Sequence, residues 1–140
     1  MASHQDHAVS ARIASQAGQL LLDIRERLSA QGADSWTLKD TGDLEAHRFI
    51  MKALREEFPD DGILSEEGRD DLERLKKKRV WIVDPLDGTR EFGEPGRSDW
   101  AVHIALAEDG VPTAGAGALP AFNMTFGTEP PPQLPPLREG

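Results

Sequence analysis

The chain has 140 residues, 38% of them hydrophobic, and 16 basic against 25 acidic residues give a formal net charge of -9. That size suits one domain with its own core, and the acidic balance argues against a broad phosphate-neutralising surface for nucleic acid. With no cysteine, disulfides, thiolate metal sites and cysteine-nucleophile phosphatase chemistry are excluded.

The opening residues Met1 to His7 lack the basic-then-apolar pattern of a secretory signal, and no later run reaches the apolar length of a membrane helix. A cytoplasmic protein is expected. Ile13, Ala17, Leu20, Leu21, Ile24 and Leu28 recur at helical spacing, predicting an amphipathic helix from about Ala8 to Ala30. A second helix is expected to begin near Thr41, with Asp43 as N-cap and Leu44, His47, Met51, Leu54 and Phe58 on its apolar stripe. The turn Pro59-Asp60-Asp61-Gly62 stops it.

Ile63-Leu64-Ser65 reads as a short buried strand leading into Glu66-Glu67-Gly68, and a short charged helix through Leu72 and Leu75 returns the chain, with Asp70, Asp71 and Glu73 as a solvated capping cluster. Val80 to Val83 is the next strand. Trp100, Val102, Ile104 and Leu106 alternate with smaller or polar residues in a third, ending at the turn Glu108-Asp109-Gly110; strands from Thr113 to Leu119 and Asn123 to Gly127 follow. Residues 1–127 thus form one α+β portion, in which two long helices cover one face of an antiparallel sheet. From Thr128 the chain turns into Pro-rich coil. Trp36, Trp81 and Trp100 are expected in packing roles, and His47 and His103 as packed or solvent-facing residues rather than metal ligands.

The chemistry concentrates at Val80-Trp81-Ile82-Val83-Asp84-Pro85-Leu86-Asp87-Gly88-Thr89. An apolar strand delivers two carboxylates into a bend that Pro85 fixes and Gly88 permits, so both can face one cation. Glu66, Asp84, Asp87 and the Leu86 carbonyl form an all-oxygen donor set suited to magnesium. Paired ions about 3.5–4 Å apart clamp attacking and leaving oxygens in phosphoryl transfer, and Asp84 is the bridging candidate. The following Gly88-Thr89-Arg90-Glu91-Phe92 can open a helical turn whose N–H groups favour phosphate. The Thr89 hydroxyl and Glu66 together could orient and deprotonate a water that the cations have acidified. Asp-Pro and Asp-Gly are common turn dipeptides; the conjunction with Gly-Thr and a second strand ending in Ser65-Glu66-Glu67 separates this run from ordinary punctuation. Asp87-Gly88-Thr89 also resembles the haloacid-dehalogenase phosphatase motif, but the position of that family's nucleophilic aspartate is Pro85 here, which excludes it.

Asp43, Glu66-Glu67 and Asp84-Pro85-Leu86-Asp87-Gly88-Thr89, in that order, resemble the inositol-monophosphatase-like superfamily of magnesium-dependent, lithium-sensitive phosphatases. Leu64-Ser65-Glu66-Glu67, the run 87–92 and Asp99-Trp100-Ala101-Val102-His103-Ile104 are most similar to its bacterial CysQ-type 3′(2′),5′-bisphosphate nucleotidases. The resemblance, covering Ala8 to about Gly127, implies the N-terminal half of an αβαβα phosphatase fold. It implies two or three Mg2+ ions held at Glu66, Asp84, Leu86 and Asp87 in an intact site, with Asp43 supporting the water or a further ion. Substrate contacts fall to Glu66, Asp87, Gly88, Thr89 and Arg90. Family members run to about twice this length, and no Trp-Asp motif, whose aspartate completes the second metal site, follows Thr89 here.

The expected function is hydrolysis of the 3′-phosphate of 3′-phosphoadenosine 5′-phosphate to AMP and phosphate, a step of sulfate assimilation. An inositol monophosphatase or fructose-1,6-bisphosphatase activity is the close alternative, and an inactive, truncated cation-binding or interaction module is the alternative of another class. A small phosphorylated substrate is the expected partner, with a homodimer possible and neither nucleic acid polymer nor membrane involved.

Overall fold

In the computed structural model residues 2–65 and 77–128 are described. Helix α1 spans His4–Ala30 and starts earlier than periodicity alone suggests, because Ser3 and Asp6 form a reciprocal capping box. Its buried stripe holds Val9, Ile13, Ala17, Leu21 and Ile24.

Helix α2 spans Ser35–Glu57, which corrects the expected start near Thr41. Asp34, not Asp43, is the N-cap, its carboxylate accepting from the Thr37 N–H at 2.7 Å. Asp43 lies inside the helix. The stripe is also different: Leu38, Gly42, Ala46, Ile50 and Leu54 are buried, whereas Leu44 is 41% exposed and His47 and Met51 lie at the margin. The reason is close approach, since a Cβ on Gly42 would lie 2.6 Å from Phe92 Cε1; small residues, invisible to a search for large apolar ones, mark the contact. Trp36, expected in packing, is 67% exposed in the first turn.

Among the described residues five strands follow in spatial order β1-β2-β3-β4-β5: Gly62–Ser65, Arg79–Asp87, Ala101–Glu108, Val111–Leu119 and Met124–Gly127. A four-residue helix α3, Thr89–Phe92, lies between β2 and β3. The sheet is mixed rather than antiparallel throughout, because β1 runs parallel to β2. A parallel pair needs a crossover connection; that connection, residues 66–76, with the expected charged helix and its Asp70, Asp71 and Glu73, lies outside the described residues. The β3–β4 hairpin turns on Asp109 and Gly110, both at positive φ (51° and 80°), the backbone of a two-residue turn whose twist matches the strands.

Both long helices pack on one face of the sheet, α1 against β3, β4 and β5 and α2 against β2. Trp81, Val83, Leu86, Val102, Ile104, Leu106, Ala114, Ala116 and Ala118 are the sheet's share of that core. The opposite face carries Ile82, 44% exposed, and exposed His103.

At the start of β2 the Arg79 guanidinium donates to both oxygens of Asp6, at 3.1 and 2.8 Å, and to both of Asp61, each at 3.1 Å. Trp81 Nε1 donates to the same Asp61 at 2.9 Å, and Phe58 stacks on Trp81 with centroids 4.9 Å apart. This knot joins the N-terminus of α1, the α2–β1 loop and β2. It lies roughly 26 Å of strand away from Asp87, the eight steps from Arg79 to Asp87 at about 3.3 Å each.

Candidate functional site

The site is built at the end of β2 by a break in the ladder. Asp84 pairs with His103 and Asp87 with Ala101, so three steps on β2 match two on β3. In a regular strand, residues three apart point to opposite faces; one extra residue restores the phase. Asp84 and Asp87 therefore share the face opposite the helices, because their cross-strand neighbours His103 and Ala101 share it. Pro85 has no N–H to offer the ladder, and the bulge falls at Pro85-Leu86, where the backbone is taken out of register with β3.

Gly88 follows in the left-handed region (φ 85°, ψ 47°) and is the N-cap of α3. It is required twice over: the backbone angle favours glycine, and a Cβ there would come 2.8 Å from the Asp99 carbonyl oxygen. Its own carbonyl accepts from Phe92 N–H at 2.9 Å, which turns Thr89 into the first residue of α3. Arg90 on α3 is solvent-exposed and faces Glu94 at 4.0 Å.

Beneath the turn, Phe92 and Trp100 meet edge to face with centroids 5.0 Å apart. Arg25 of α1 lies over both rings, at 5.5 and 5.0 Å, and donates to the Arg97 carbonyl at 2.9 Å. Burial lowers the Arg25 pKa. In the neighbouring loop the Arg97 guanidinium, hydrogen-bonded to Asp99 at 2.9 Å, holds that carboxyl below its ordinary range. Neither arginine stood out in the sequence.

On the other flank, Asp43 follows Gly42, the point where α2 touches α3. One turn further, His47 Nδ1 lies 2.9 Å from the Oγ of buried Ser65, consistent with a packed histidine. Ser65, the last residue of β1, pairs with Val83, which immediately precedes Asp84. Glu66 and Glu67 lie outside the described residues. Among the described residues, no three acidic or histidine side chains gather closely enough to hold a metal ion; Asp84 and Asp87 supply two carboxylates, and a Leu86 carbonyl is a backbone donor.

His103, expected as a packed or solvent-facing residue, is exposed. Its Nε2 lies 3.1 Å from Asp87 Oδ2, and the available signal was its place on the polar phase of β3, across from the aspartate run. A cavity of about 340 Å3 opens beside this pair, bounded by Gly88, Trp100, Leu119 and Phe122.

A profile of the inositol monophosphatase family matches residues 4–129. The 3′-phosphoadenosine 5′-phosphate phosphatase of Mycobacterium bovis is 52% identical over 120 residues, covering 81% of this chain and 44% of that protein. The 3′(2′),5′-bisphosphate nucleotidase CysQ of Escherichia coli is 41% identical over 85 residues, 60% of this chain and 34% of that protein. The solved structure of inositol monophosphatase II from Staphylococcus aureus superposes with a TM-score of 0.77 at 25% identity, covering 89% of this chain and 46% of that one. The chain spans less than half the length of each of these proteins.

Proposed function

The chain belongs to the inositol monophosphatase family, and from that premise we propose that it is the cation- and phosphate-binding portion of a phosphatase that removes the 3′-phosphate of 3′-phosphoadenosine 5′-phosphate, giving AMP and phosphate. Family membership carries dependence on a divalent cation; that the cation is Mg2+, in two or three copies, is part of the proposal. The observation that carries the reading is the bulge at Pro85-Leu86 that sets Asp84 and Asp87 on one face, followed directly by left-handed Gly88 at the start of α3. The name of the 52% identical M. bovis relative supports the nucleotide as substrate.

The donors fit a hard cation: Asp84, Asp87 and the Leu86 carbonyl are all oxygen, with Glu66 as the remaining acidic group. Ser65, which precedes Glu66 in sequence, is held in register with Val83, the residue before Asp84. When bound, such cations neutralise phosphate charge and acidify water. The protein's own residues do the rest. Gly88 and Thr89 hold the phosphate through backbone N–H and hydroxyl, and solvent-exposed Arg90 offers charge to the second phosphate of the nucleotide. Glu66, helped by the Thr89 hydroxyl and Asp43, takes a proton from the attacking water; the water oxygen bonds to phosphorus as the bond to the 3′-oxygen breaks, and that oxygen takes up a proton from solvent to become the 3′-hydroxyl of AMP. No covalent intermediate is needed.

No helix among the described residues is long and apolar enough to cross a membrane. A cytoplasmic setting, which suits a chain without cysteine, belongs to the same proposal, as does the homodimer that the family resemblance implies. Phosphate release from 3′-phosphoadenosine 5′-phosphate with Mg2+, inhibited by Li+ and abolished by Glu66→Gln, is the expected result. Release from inositol phosphate in preference to the nucleotide would move the substrate to the alternative. A folded protein that neither binds Mg2+ nor releases phosphate would leave the cation-site reading without support.

A further inference from the structure

We propose that His103 is a positioning residue: its Nε2–H donates to Asp87 Oδ2 and fixes the carboxylate so that the other oxygen faces the cation. This rests on the reading of Asp87 as a cation ligand.

The strand register prepares the contact. His103 has Asp84 as its neighbour across β2 and Gly117 as its neighbour across β4. Because Gly117 has no side chain, the imidazole can lie over it; a Cβ there would come within 3.4 Å of Nδ1. The ring then reaches past Asp84 to the residue beyond the bulge, and Nε2 lies 3.1 Å from Asp87 Oδ2. Without that bond the Asp87 side chain, 61% exposed, would have solvent on most sides and would lose rotamer freedom on binding a cation. With one oxygen already anchored, that ordering is in place beforehand and the second oxygen keeps its lone pairs for the ion. Hydrogen-bond partners of this kind, behind metal-ligating carboxylates, typically carry about 10–100-fold in metal affinity. The distinct feature here is that the partner comes from a neighbouring strand whose register, not sequence proximity, selects it.

Mn2+ is the probe, titrated into the full 140-residue chain and followed by electron paramagnetic resonance of the free ion. His103→Ala is expected to weaken Mn2+ binding by about 10-fold or more, His103→Gln, which keeps a donor at similar reach, to recover most of it, and Asp84→Asn to weaken it whatever stands at 103. Equal affinity in wild type and His103→Ala, while Asp84→Asn loses the ion, overturns this proposal and leaves the cation site standing. A wild type that does not bind Mn2+ overturns both. An independent readout needs no ion: the 15N spectrum of His103 should show the proton on Nε2, with a shift that moves in Asp87→Asn. A proton on Nδ1 in the metal-free protein refutes the assignment.

Discussion

Arg79→Met isolates the knot at the start of β2. The guanidinium makes four hydrogen bonds to Asp6 and Asp61 and stands 3.7 Å from Glu108. Its side chain is 27% exposed, whereas those of Asp6, Asp61 and Glu108 are 4%, 10% and 9% exposed. Methionine fills similar space but leaves these carboxylates without their shared counter-ion. Removing one member of a buried pair costs about 3–5 kcal/mol; the partial exposure of Arg79 points to the low end, about 3 kcal/mol. With a urea m-value of about 2 kcal/mol/M, the midpoint should fall by about 1.5 M.

The pH dependence separates this from loss of packing. In the wild type, the hydrogen bonds from Arg79 hold the Asp6 carboxyl below its ordinary range; its stabilisation is present above the unfolded pKa and lost as pH falls through the folded one. In Arg79→Met the Asp6 carboxyl loses the bonds that depress it and keeps the burial that raises it, so protonation relieves the folded state and the deficit shrinks on going from pH 7 to about pH 5. Urea unfolding at the two pH values checks this. A deficit below about 1 kcal/mol, or one that is the same at both pH values, would refute the account of the knot as a counter-ion cluster.

Gly88→Ala should cost about 1–2 kcal/mol for the left-handed backbone alone, and its Cβ meets the Asp99 carbonyl at 2.8 Å; thermal unfolding and loss of phosphate release measure the two consequences. Leu106→Ala, at a fully buried position of β3, should destabilise by about 3 kcal/mol through the cavity it leaves, with no change in m-value by urea titration. Gly42→Leu drives a side chain into the Phe92 ring, 2.6 Å from the new Cβ, and should lower stability by about 1–3 kcal/mol. Near-ultraviolet circular dichroism of the Phe92 and Trp100 pair would report the repacking.

Most strands were legible because local signals agreed: alternation of large residues at 100, 102, 104 and 106 gave β3, and the Asp109-Gly110 turn gave the hairpin. The first helix was legible from its spacing. What was misplaced was the start and the buried face of the second helix, where Gly42 packs against Phe92 and the cap is Asp34; large apolar residues do not mark such a face. The acid-glycine run marked the candidate site, but not how Asp84 and Asp87 come to share a side of the sheet, which depends on pairing with β3.

By itself, then, the amino-acid order determined most of the helix and strand repertoire, the absence of thiol chemistry and the family. Tertiary structure decided the parallel pairing of β1 with β2, the bulge after Asp84, the Arg79 knot and the approach of His103 to Asp87. The division has one physical cause. Propensity, periodicity and turn chemistry act over a few neighbouring residues, whereas register and charge pairing join positions as far apart as 6 and 79 and exist only once the sheet has closed.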